Sequence, residues 1–198
     1  MNAQSKIEHI FSAGHGYART ADILAAGIHF SYLKQLLQAG VITQIKRGYY
    51  RWESKAFWGS ELPEVALLVP KGVFCLFSAA EFHGLTTYQP WQHHMAVERS
   101  TKITGLPGER IKLYYWSKSV LEFGIQTTQT EGGPIRITDP ERTVCDLVKY
   151  RNKVGKDSML EAIRTYLSRK NKNIPLLLDY ARRLRVEKII KPYIEIAL

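Results

Sequence analysis

Asp139, Glu141 and Asp146 fall within one stretch, DPERTVCD. Clustered carboxylates are what a divalent-metal nuclease uses to hold its ion. A restriction-like centre also needs an acid-x-Lys pair nearby. The triplet of that form is Glu53-Ser54-Lys55, far off in the chain, and Asp146 stands one residue too far from Lys149. A helix start accounts better for the same residues. Asp139 or Thr138 caps it, Pro140 sits in its first turn, and Arg142 bonds Asp146 one turn on. A nuclease remains the reading from a different functional class, and catalysis is not expected.

Other chemistry is sought without result. His93 and His94 are adjacent, so on a strand they point to opposite faces. Gly14-His15-Gly16 is a fragment of a dinucleotide loop with no strand before it. G-x-x-x-x-G-K, G-x-S-x-G and H-E-x-x-H are all missing from the sequence. Cys75 and Cys145 fit no metal spacing and are expected as buried thiols in a reducing compartment. No cofactor, no metal and no enzymatic activity are expected. No signal peptide and no membrane-spanning run are seen, so a cytoplasmic protein is expected.

Phosphate binding is the chemistry that the charge favours. The net charge is +10 over 198 residues. Residues 1–58 hold seven Lys/Arg against three Asp/Glu, residues 59–137 seven against seven, and residues 138–198 fourteen against eight. Two basic ends therefore flank a neutral middle. Such a chain attracts nucleic acid or an acidic partner through its long-range field. Within the first basic end, QIKRGYYRW places Lys46 and Arg47 at a turn, with Arg51 further along. In the second, Arg182, Arg183, Arg185, Lys188 and Lys191 form a cluster that suits DNA backbone or a partner surface, or is simply solvated.

The elements that position these residues follow from hydrophobic spacing. Ile7, Ile10 and Phe11 recur at helical intervals until Gly14. Thr20 is the expected cap of a second helix that Gly27 stops, and Ser31 of a third that carries Leu33, Leu36 and Leu37 and ends at Gly40. Ile42 and Ile45 then lead through a Lys-Arg-Gly turn to Tyr49–Trp52, with Gly48 supplying a positive φ. Three helices and a hairpin are the order of a winged helix-turn-helix, whose third helix enters the major groove. On that helix His29, Ser31, Tyr32, Lys34, Gln35 and Gln38 face away from the leucines and are suited to bases and phosphates. Lys46 and Arg47 then stand at the wing tip, where flanking phosphates lie. A winged-helix protein-interaction module has the same pattern and stays open as an alternative.

After a connector, a helix capped by Ser60 and ended by Pro70 is expected, then a short helix with Ser78 and Glu81 as a capping box. The period changes to two in HHMAVER, RIKLYYW, GIQTTQT and PIRIT, with EGGP joining the last two. From Thr138 the spacing is helical to the end, with Asp157 as a further cap. The expected fold class is α+β: an N-terminal winged helix-turn-helix over residues 1–55, then a small mixed sheet with a helical C-terminal part over 56–198.

The chain as a whole resembles the AbiEi antitoxins of type IV toxin–antitoxin, or abortive-infection, systems. The resemblance rests on YARTADILAAGI…YLKQLLQAGVITQIKRGYYRW, on FSAAEFHGLTTYQP, on ITDPERTVCDLVKYRNKVGKDSMLEAIRTYL and on RVEKIIKPYIE. It implies a winged-helix domain joined to a C-terminal antitoxin domain. It implies repression of the chain's own operon through double-stranded promoter repeats. It also implies the countering of a nucleotidyltransferase toxin without a stable complex being required. Carried over to this sequence, Lys34, Lys46, Arg47 and Arg51 stand where such a domain meets DNA, and toxin neutralisation gets no residue assignment beyond the basic C-terminal helices. An orphan winged-helix regulator with no toxin beside it is the alternative. DNA recognition is expected from the first part and protection from residues 61–198.

Overall fold

The structure is a computed structural model. It describes residues 2–54, 61–103 and 110–197. Lys55 and Ser60, named above, lie outside these. The chain divides into two compact units: Met1–Pro70 with 103–108 and 129–135, and Lys71–Lys102 with 109–128 and 136–198. The expected boundary after residue 55 falls inside the first unit, which continues through a further helix to Pro70.

The first unit runs α1 (Ala3–Ala13), β1 (Tyr17–Arg19), α2 (Thr20–Ala25), α3 (Phe30–Gln38), β2 (Ile42–Lys46), β3 (Tyr49–Trp52) and α4 (Leu62–Leu68). The strands form one antiparallel sheet in the order β1-β3-β2. β1 was not expected: three residues are too few to display an alternation. The core behind the sheet is Ile7, Phe11, Ile23, Ile28, Leu33, Ile42, Tyr50 and Trp52, with the Phe11 and Trp52 rings edge to face at 5.2 Å. This is the element order of a winged helix. Gly48 closes the wing at φ 83°, a conformation that a side chain would resist. The register of β2 on β3 slips between Gln44 and Lys46, a bulge that re-aims the residue after it.

Two expected caps are replaced. Thr20 is the first residue of α2, whose N-cap is Arg19 without a side-chain bond. The N-cap of α3 is His29, whose Nδ1 accepts from the Ser31 N–H, so Ser31 is a first-turn residue.

The second unit contains β4 (Val73–Phe74), α5 (Leu76–Phe82), β5 (His93–Glu98), β6 (Ile111–Trp116), a 3₁₀ turn (Lys118–Val120), and the helices α6 (Pro140–Lys149), α7 (Arg151–Val154), α8 (Lys156–Leu167), α9 (Ile174–Arg183) and α10 (Glu187–Ala197). With β7 (Ile125–Thr130) and β8 (Gly133–Thr138) the strands make a mixed sheet in the order β6-β5-β4-β8-β7. β4 is antiparallel to β5 and parallel to β8, and β5 is parallel to β6. The expected α+β class holds. No helix among the described residues is long and apolar enough to cross a membrane.

Helix α6 is the centre of this unit, with every residue from Glu141 to Val148 buried. Asp139 caps it, accepting from the Arg142 N–H at 2.7 Å, as expected. Two other expected caps do not form. α8 starts after Gly155, with Asp157 in its first turn. Ser78 lies inside α5, and its Oγ accepts from the His94 N–H at 2.8 Å. Both cysteines are free and buried.

His94 yields a testable pH dependence. Its ring is buried beside Tyr114, with Nδ1 3.2 Å from the phenol oxygen. Burial, then the charges of Lys112 and His93, push its pKa from 6.5 down to about 4. The unfolded imidazole takes up a proton first. The stability that this group contributes is therefore intact above pH 6.5 and is lost as pH falls towards 4. Over that window the loss amounts to about 3 kcal/mol. Burial of Asp139 and Asp146 raises their carboxyl pKa values and works in the opposite direction, so the comparison must be with a variant. Urea unfolding of wild type and His94→Gln, run from neutral pH down to about pH 4.5, should show the stability gap narrowing as pH falls. A constant gap would contradict a buried neutral His94.

Candidate nucleic-acid interface

Leu33 is fully buried beneath α3, and Leu36 and Leu37 are partly buried against the same core. That packing turns Ser31, Lys34, Gln35 and Gln38 outward, and all four are exposed. Lys34 Nζ lies 5.6 Å from the centre of the Phe30 ring, which is itself 41% exposed at the start of the helix. Tyr32 is half-buried and packs against the core, so it belongs to the support of α3 more than to its open face. The Ser31 hydroxyl is 2.9 Å from His29 Nδ1. The open face is therefore one cation and two amides, flanked by the apolar Phe30. Phe30 was not singled out from sequence, because it reads as one more helix-core residue.

The wing divides its cations. Arg47 is exposed at the tip. Lys46 is not: its Nζ donates to the Leu68 carbonyl at 3.0 Å and lies 5.8 Å from the Tyr49 ring. Arg51 is held as well. Its Nη1 donates to Glu64 Oε2 at 3.0 Å and its Nη2 to Glu53 Oε1 at 3.1 Å, with the arginine side chain 22% exposed. Tyr17 Oη also donates to Glu64, at 3.3 Å. Burial, then the Glu64 carboxylate, pushes the Tyr17 phenol up to about 12. Helix α4, expected as a helix after the connector but with no role at the wing, thus grips the wing through Leu68 and Glu64. The sequence could not signal this, because the bulge that re-aims Lys46 and the fold-back of α4 are both tertiary.

The C-terminal cluster is mixed too. Arg183 pairs with Asp179 at 2.8 Å and Arg182 with Glu187 at 3.7 Å. Arg185, Lys188 and Lys191 are exposed.

The three carboxylates proposed for a metal are occupied by protein partners. Asp139 caps α6 and accepts from Tyr180 Oη at 3.1 Å. Glu141 accepts from Tyr166 Oη at 2.7 Å. Asp146 accepts from Arg142 Nε at 3.1 Å. Among the described residues no cluster of His, Cys, Asp or Glu is arranged to hold a metal ion.

A family model described as "Transcriptional regulator, AbiEi antitoxin" matches residues 5–51. A second, the AbiEi antitoxin C-terminal domain, matches residues 72–181. Among solved structures, the crystal structure of the RV2827C protein from Mycobacterium tuberculosis is similar in fold, with a TM-score of 0.58. It is 12% identical, and the likeness covers 95% of this chain and 77% of that one. No curated protein matches the chain. The two family matches fall on the winged helix and on most of the unit built around α6; of the segments that carry the resemblance in sequence, RVEKIIKPYIE lies beyond residue 181. The chain belongs to the AbiEi antitoxin family, whose members are antitoxins and transcriptional regulators.

Proposed function

We propose that this antitoxin binds the promoter of its own operon through α3 and the wing, and that it counters a nucleotidyltransferase toxin by means that do not need this DNA contact. The observation that carries the DNA part is the open face of α3. Lys34, Gln35 and Gln38 project together from a helix whose leucines anchor it, with the free cation Arg47 on the wing. Glutamine amides pair with adenine edges, and Lys34 suits guanine or phosphate. Lys46 and Arg51 are held on the wing by α4, through the Leu68 carbonyl and Glu64, and Arg185, Lys188 and Lys191 add charge for backbone affinity. Regulation and protection are chemistry of a binding protein, with no role for a catalytic centre.

The test keeps the chain whole, because residues 129–135 group with the first unit and a cut would sever a hairpin. A Lys34→Ala/Arg47→Ala variant is supplied to cells that express the cognate toxin from an unrelated promoter. It should fail to repress an operon reporter and still restore growth. Loss of both together, in a variant that unfolds like wild type, would mean that protection also runs through bound nucleic acid.

A further inference from the structure

A cavity of about 280 Å³ lies wholly within the second unit. Phe77, His94 and Tyr114 are its buried lining. Their rings are in series, with Phe77 to His94 at 5.5 Å and His94 to Tyr114 at 5.3 Å. Phe77 also meets Tyr88 at 4.7 Å. At the mouth stand Tyr88, 45% exposed, and Trp91, 69% exposed. Lys112 and Lys153 line the same space, and among the described residues no carboxylate does. An indole this exposed gives up the burial that normally stabilises it, and two ammonium groups share its cavity with no acid among the described lining residues.

The walls define the ligand. The rings favour a flat π-system, and the two lysines favour an anion attached to it. Ser158 also lines the cavity and can hydrogen-bond a base edge. The volume is near the lower end for small-molecule sites, roughly 300 Å³. That is room for one nucleotide and too little for a duplex or a dinucleotide cofactor. We propose that this cavity binds a single nucleotide, with its base stacked on Trp91 and Tyr88 and its phosphate held by Lys112 and Lys153. The nucleotide is either free in solution or an unpaired residue of an RNA strand. The site goes beyond the promoter-binding reading and does not depend on it.

The test is titration calorimetry of the full chain with AMP, GMP, CMP, UMP, adenosine and ribose 5-phosphate. At least one mononucleotide should bind saturably, and the nucleoside and the sugar phosphate should bind more weakly. Trp91→Ala should weaken the nucleotide about tenfold, in line with the loss of one base–aromatic stack, while Trp91→Phe should retain most of the binding. Lys112→Ala/Lys153→Ala should remove the preference for AMP over adenosine. A short single-stranded RNA that binds more tightly than AMP, with the same dependence on Trp91, assigns the site to RNA. Equal or weaker binding assigns it to the free nucleotide. Promoter-duplex affinity, measured alongside, should be unchanged in Trp91→Ala, which keeps this result separate from the DNA reading. The proposal is overturned if no mononucleotide and no RNA binds at about 1 mM, a Kd worth only about −4 kcal/mol. It is overturned equally if binding is indifferent to Trp91→Ala in a variant whose unfolding matches wild type.

Discussion

Replacing Arg142 with Met is expected to destabilise the protein by about 3–5 kcal/mol, because it breaks a buried ion pair and leaves one charge behind. Arg142 is fully buried, and its partner Asp146 is 1% exposed. Its Nε donates to both Asp146 oxygens at 3.1 Å, and its Nη1 donates to the carbonyls of Val120 at 2.8 Å and Phe123 at 2.7 Å. The guanidinium lies 4.8 Å from the Trp116 ring and 4.4 Å from the Phe123 ring. Gly124 makes room for it: a Cβ there would come within 2.7 Å of Arg142 Cβ. The side chain thus ties the strands and the 3₁₀ turn to α6. Thermal unfolding should fall by roughly 6–20 °C in a chain of this size. The double variant Arg142→Met/Asp146→Leu should recover much of the loss, since apolar replacement of a whole buried pair is often near neutral. A loss below about 1 kcal/mol in the single variant would place the pair among ordinary surface contacts.

The second large effect concerns DNA. Lys34→Ala and Arg47→Ala should each weaken binding to all duplexes alike and lower the slope of log K against log salt by about 0.9. Lys46→Ala should leave the slope almost unchanged, because its ammonium is already spent on the Leu68 carbonyl. Fluorescence anisotropy across a salt series measures all three. An equal drop in slope for Lys46→Ala would mean that α4 releases the wing when DNA binds. Unchanged slopes for Lys34→Ala and Arg47→Ala would return both residues to solubility.

The winged helix was legible in sequence because its signals are local. Leu33, Leu36 and Leu37 mark one helical face, and Gly48 marks a turn. The caps were less legible. Ser31 and Ser78 have the right residue type, but His29 precedes the one, and the strand bearing His94 claims the other. β4, two residues long, vanished into the apolar run VFCLF. The Arg142–Asp146 spacing was readable, but its burial was not, since an exposed i,i+4 pair has the same letters. The cavity of the second unit was invisible for a different reason. Trp91, Lys112 and Lys153 come from three separate segments, and only the sheet and the helices after α6 bring them to one space. The same holds for α4, whose Glu64 and Leu68 meet the wing through tertiary structure alone.

Helix α3 is expected to read base sequence through its glutamines. The most direct measurement is the affinity of Gln35→Ala for the promoter site and for a set of sites changed one base pair at a time. A loss of about 1–3 kcal/mol is expected on the native site, disappearing when one particular base pair is already changed, with random duplex unaffected. The same loss on native, changed and random duplexes would contradict sequence reading by α3.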